Sequence, residues 1–189
     1  MSDRKSETMK RDFNKFMECL KKACAKIDQH YFQLSVAGRK KPVFRERVYC
    51  YELYHQLRNA LGDDFPYKLY GEVDKSGHPV IRGEKKPDFI VHEPGKMNRN
   101  LVVIEVKPIT VKDYIGRLVE DLKTLQSFID EAKYYRAIML VYGDGKQELP
   151  KRIISSVKHF SKRCKGRILM VWHRGPGEET RVINLSRDK

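Results

Sequence analysis

The chain is 189 residues long with 40% hydrophobic and 10% aromatic content, which excludes wholesale disorder and fits one domain, alone or with an N-terminal extension. Lysine and arginine number 39 against 25 acidic residues, a formal net charge of +14, so a polyanion, and nucleic acid first, is the partner to expect. No apolar run approaches the roughly 20 residues of a membrane span, and the start, Met1-Ser2-Asp3-Arg4-Lys5, has no apolar signal region, so a soluble cytoplasmic protein is expected.

In chain order, Phe13, Phe16, Met17, Leu20, Cys24 and Ile27 recur at helical spacing among lysines. This predicts an amphipathic helix from Lys10 to about Tyr31. Its apolar face packs on the core or on a partner, a second copy included, with Phe13, Phe16 and Leu20 as the contact. The loop Ala37-Gly38-Arg39-Lys40-Lys41-Pro42 ends it, either as a phosphate contact or as a solvated turn, and closes an N-terminal arm over residues 1–42. Residues 43–189 form the main domain.

A second helix is expected from Val43 to Leu61, with Cys50, Leu53, Tyr54, Leu57 and Leu61 on one face. Glu46 joins that face one turn before Cys50, while Glu52 falls nearly opposite. An acid in line with an apolar stripe either caps the helix start, where the dipole favours it, or reaches an interior site. Strands are then expected at Tyr67–Val73, at Val80-Ile81-Arg82 leading into Lys86–His92, and at Leu101–Pro108. Thr110 caps a helix to about Ala132, and Ala137–Tyr142, apolar on both faces, reads as a covered central strand. Pro150 opens a helix to about Cys164 with Lys158 and Lys162 outside, followed by a strand at Arg167–Trp172 and an edge at Val182–Leu185. The order is a meander of strands followed by crossovers, an α/β chain with an α+β mixed sheet. Cys19, Cys24, Cys50 and Cys164 have no zinc-finger or Cys-x-x-Cys spacing and read as reduced, buried thiols.

The chemistry gathers around Lys86-Pro87-Asp88-Phe89-Ile90-Val91-His92 and Leu101-Val102-Val103-Ile104-Glu105-Val106-Lys107-Pro108. Side chains alternate across a strand, so Glu105 and Lys107 share a face, and Asp88 lies beside them if the strands are neighbours. His92 shares the face of Asp88, either lining the site or serving as a hydrogen-bonded structural residue. Two carboxylates and an amine near a core are costly unless a cation joins them. Glu46, Asp88 and Glu105 offer hard oxygens that suit Mg2+, with Mn2+ able to substitute. Lys107 can orient a water or hold charge growing at phosphorus, which together is the equipment of metal-assisted phosphodiester hydrolysis. The blander reading is a surface ion pair on an edge strand beside a turn-opening Asp88.

Pro87-Asp88 followed, after about 16 residues, by Glu105-Val106-Lys107 resembles the PD-(D/E)xK nuclease superfamily, the restriction-endonuclease-like fold. The resemblance implies an αβββαβ core over about Val43–Tyr142, with an N-terminal helix and a C-terminal α-β extension. It implies that Asp88 and Glu105 bind the metal, that Lys107 assists the attacking water, and that the helix acid is Glu46, with Glu52 as the alternative. The longer match, Pro87 to His92 and Asn100 to Lys107, is similar to a group of small bacterial members and adds His92 and Glu72 as secondary site residues. The activity implied is a metal-dependent nuclease acting on DNA, with RNA left open, in restriction, defence or repair. Arg39, Lys40, Lys41, Lys85, Lys86, Lys158 and Lys162 would hold the phosphate backbone. Members that have lost catalysis leave a second reading, a silent nucleic-acid-binding subunit on the same fold.

Overall fold

The computed structural model describes residues 2–73, 86–109, 114–146 and 148–185. The strand expected at 80–82, the cap at Thr110 and the contact residue Lys85 lie outside the described residues. The long apolar run beginning at Asn100 forms β3 (Asn100–Pro108), next to β4 (Arg136–Tyr142) in the middle of a six-stranded sheet. β1 (Lys68–Gly71) and β2 (Phe89–His92) extend the sheet on one side, β5 (Ile168–His173) and β6 (Arg181–Ile183) on the other, so that spatial order equals chain order. β1, β2 and β3 pair antiparallel, β3, β4 and β5 parallel, and β6 closes the edge antiparallel to β5. This is the mixed α/β sheet expected from the sequence.

Parallel neighbours need long crossovers, supplied here by α4 (Tyr114–Asp130) and α5 (Lys151–Arg163). Both cover one face of the sheet. Leu118, Leu122, Leu125 and Val157 meet Val103, Met139, Val141 and Met170 there. The other face is covered by α1 (Ser2–Cys24) and α3 (Glu46–Leu61), whose Phe16, Leu20, Leu53 and Leu57 meet Val102, Ile104, Val106 and Leu140. Alternation along β3 therefore sends one set of side chains into each core. Glu105 and Lys107 continue the Val103 side, at the end where the apolar packing under α4 gives out.

Two helices differ from expectation for local reasons. The first ends at Cys24 rather than near Tyr31, and a single turn, α2 (Gln29–Phe32), restarts behind Asp28, whose carboxylate accepts from the His30 N–H at 2.8 Å. The next starts at Glu46 rather than Val43, because Val43 and Leu34 exchange backbone hydrogen bonds of 2.9 and 3.0 Å that hold residues 34–43 as a hairpin.

The apolar face of α1 packs on the core, one of the two places expected for it. Phe16 and Leu20 are 0% exposed and Phe13 is 7% exposed, packed in the same core as Leu53 and Ile104. Any partner binding α1 must use its outer, lysine-rich side, since the three residues expected to make that contact are consumed within the chain. Replacing Phe16 with alanine should destabilise the whole fold by about 3–5 kcal/mol. Urea unfolding should show one transition at a lower midpoint; a separate early transition would mean that α1 unfolds on its own.

Candidate active site

The β2–β3 register builds the centre of the site. Phe89 pairs with Ile104 and Ile90 with Val103, so Asp88, one residue before the strand, faces Glu105. Pro87 cannot donate to the ladder at this point. The Asp88 side chain continues the connection instead, its Oδ2 accepting from the Val106 N–H at 2.7 Å. On the other side the Asp88 carbonyl accepts from the Glu72 N–H at 3.0 Å, so Asp88 ties three strands together.

Glu105 is 5% exposed, and its carboxyl faces that of Asp88 across the β2–β3 register. Burial pushes Asp88 up to about 6, with the Val106 N–H acting against the shift and the Glu46 charge adding to it. Burial and then the charges of Asp88 and Asp121 push Glu105 well above the usual carboxylate range. Both groups are thus harder to ionise than a carboxyl in water.

Lys107 stands next on the same face. Its Nζ donates to Glu46 Oε2 at 3.0 Å and lies 3.2 Å from Asp121 Oδ2. The second contact is an ion pair outside hydrogen-bond direction, and among the described residues no other group donates to that buried oxygen. Burial opposes the charge on Lys107, but Asp121 and Glu46 outweigh it and hold the ammonium above the usual lysine range. Asp121 is itself pushed up to about 6 by burial, against the pull of Lys107. Glu46 is the first residue of α3 and Asp121 lies in α4, so one ammonium links helices from both faces across the end of the sheet. Cys50, one turn after Glu46, sits under the cluster, its thiol raised by burial and then by Asp88 and Glu46.

The structure brings Asp88, Glu105, Lys107 and Glu46 together. Glu72 stands at the rim, paired with Arg47 Nε at 3.0 Å. Glu52 is elsewhere on α3, accepting from Gln56 Nε2 at 2.7 Å. His92 is at the far end of β2, beyond a register shift at Val91/His92, edge-on to Tyr70 with ring centres 5.4 Å apart. Among the basic residues, Lys86 is exposed just before Pro87-Asp88. Arg39, Lys40 and Lys41 occupy the tip of the 34–43 hairpin, which reaches the site's end of the sheet through Phe44 against Tyr142 at 5.7 Å. Lys158 and Lys162 border a groove between α5 and β6, and Lys162 lies toward the start of β5, away from Lys107.

Sequence reasoning passed over Asp121. The signal was present, because Asp121 falls within the Leu118–Leu122–Leu125 stripe as Glu46 falls within that of α3. Among the described residues, no three His, Cys, Asp or Glu side chains form a ready-made metal cluster. The donor set that does fit a divalent cation is the Asp88–Glu105 pair, two desolvated hard-oxygen groups whose mutual repulsion a cation would remove. Glu46 points to Lys107 in this arrangement. Comparison with protein-family models, with curated proteins and with solved structures found no match to the chain.

The raised Asp88 carboxyl makes stability depend on pH. Between its unfolded value near 4 and its folded value of about 6 the folded chain binds more protons, so stability falls as pH rises through that window. Asp88→Asn can keep the hydrogen bond from Val106 while removing the charge. Urea unfolding in EDTA should find it more stable than wild type by about 1–3 kcal/mol at pH 8, an advantage that fades toward pH 4. Equal stability at pH 8 would mean that the carboxyl is not under electrostatic strain.

Proposed function

We propose that this chain is a metal-dependent nuclease that hydrolyses DNA phosphodiester bonds, an assignment in line with its resemblance to the PD-(D/E)xK superfamily. The observation that carries the reading is the buried Glu105 facing the half-buried Asp88, with the Lys107 ammonium fixed beside them. Structural ion pairs balance their charges. Among the described residues, four carboxyl groups, Glu46, Asp88, Glu105 and Asp121, gather around one lysine, and a cation would offset the excess.

Asp88 and Glu105 would hold Mg2+ or Mn2+, which when bound polarises a phosphoryl oxygen and acidifies a coordinated water. The residues supply the rest. Lys107, kept cationic by Glu46 and Asp121, acts as a charge donor toward the phosphate rather than as a general base. The Val106 N–H fixes Asp88, so the carboxylate is oriented before any ligand arrives. The basic hairpin and Lys86 supply affinity for the phosphate backbone without reading bases. Restriction, defence and repair all use such chemistry.

Labelled linear, circular and single-stranded DNA should be cut by wild type with Mg2+ or Mn2+ and not with EDTA. Asp88→Ala and Lys107→Ala should each lower the rate by at least about a hundredfold while retaining salt-sensitive binding. If wild type binds all three DNAs and cuts none, the reading gives way to a catalytically silent nucleic-acid-binding subunit. Cleavage that survives both substitutions would remove these residues from the chemistry.

Mg2+ should also raise the thermal midpoint of wild type and leave that of Asp88→Ala unmoved. An equal rise in both would place the cation elsewhere.

A further inference from the structure

A pocket of about 480 Å³ opens directly beside Asp88, a volume in the range of small-molecule sites. Its floor is Phe89 and Tyr54, whose rings lie 21° from parallel with centres 6.4 Å apart. The Tyr54 hydroxyl donates to the Leu69 carbonyl at 3.4 Å, which holds that ring in place. Its rim carries two further tyrosines, Tyr51 at 63% and Tyr70 at 37% exposure. Glu72 lies on the remaining side, engaged by the Arg47 guanidinium with contacts of 3.0 and 3.3 Å.

Phe89 and Tyr54 also pack the core and Tyr70 also meets His92, whereas Tyr51 has no such role among the described residues. Tyr51 is on the outer side of α3, away from the Leu53 and Leu57 that pack the core, and most of its ring meets water. Exposed aromatic surface around a small cavity, opening onto a site for phosphate chemistry, suits a ligand that is flat, uncharged and covalently attached to a phosphate. A nucleobase has those properties. It stacks on tyrosine whatever its identity, and its neutral faces tolerate the neighbouring carboxylates. The net charge of +14 draws the strand to which it belongs.

We propose that this pocket receives an unpaired nucleobase of the strand whose phosphate sits at Asp88 and Glu105, so that the substrate is a single strand or an unpaired segment. The proposal rests on the nuclease reading for the identity of its ligand. A paired base would have to leave its stack to enter, at a cost in unstacking energy that an unpaired strand does not meet.

The test measures binding apart from cleavage. Fluorescence anisotropy in EDTA would compare a labelled single-stranded oligodeoxynucleotide with a blunt duplex for wild type, Tyr51→Ala, Tyr70→Ala and Tyr51→Trp. Each alanine variant should weaken single-strand binding about tenfold, leaving duplex binding and its salt dependence within about twofold; Tyr51→Trp should bind the single strand like wild type. Since Tyr51 is exposed, its loss leaves the fold intact, and unchanged duplex binding checks this in the same assay. Equal losses on both DNAs, loss confined to the duplex, no loss, or no single-strand binding by wild type would each overturn the proposal. Cleavage with Mg2+ decides the nuclease reading separately. A wild-type protein that cuts, with tyrosine variants that bind normally, loses only the pocket. One that never cuts, with tyrosine-dependent single-strand binding, loses only the nuclease reading.

Discussion

The site depends on a single pairing register. With Phe89 opposite Ile104, Asp88 meets Glu105 on the α4 side of the sheet. Side chains alternate with a period of two, so a slip of one residue would turn Asp88 toward α1 and α3. Several features hold the register against that slip. Phe89 and Val91 belong in one core and Ile90 in the other, and the Val106 N–H is bonded to Asp88 itself. The group that needs the register also enforces it.

Around that pairing the chain separates two electrostatic scales. At long range it is strongly basic, and at the end of β3 it is acidic. The acidic centre is set firmly because its supports are rigid. Three residues along α3 from Glu46, the Tyr49 hydroxyl is 2.8 Å from His173 Nδ1 while its ring stacks on Tyr142 with centres 3.9 Å apart. Burial brings His173 down to about 4, so the contact does not change charge across the neutral range. The start of α3, and with it Glu46, is thereby fixed to the sheet by a contact that keeps its charge state across the neutral range.

Much of this was legible in the residues. β4 announced itself as an apolar run on both faces, and β3 as a β-branched stretch whose Glu105 and Lys107 alternate with Ile104 and Val106. The partnership of Asp88, Glu105 and Lys107 followed from strand alternation, and Glu46 from its place in an apolar stripe. What escaped depended on distant contacts. No local pattern in Val43 or Leu34 announces that they pair and delay α3. His92 shares the alternation of Asp88, but alternation says nothing about distance along a strand, and the shift at Val91/His92 lies between them. The second acid beside Lys107 is visible only once α4 is laid over β3, although Asp121 in its stripe offered the same clue as Glu46. Tyr51 read as an ordinary outward residue because a pocket belongs to no single element.

The bond between Lys107 and Glu46 spans 61 positions of sequence, and that between Val106 and Asp88 spans 18. Consider the chain leaving a ribosome. Glu46 emerges long before the lysine that will hold it, and a nascent chain released before residue 121 carries the carboxyl pair without the lysine's second anchor. Contacts of such separation require a long stretch of chain to be brought together before they can form. The arrangement is thus a property of the folded chain, and truncated or misfolded copies carry its residues without its geometry.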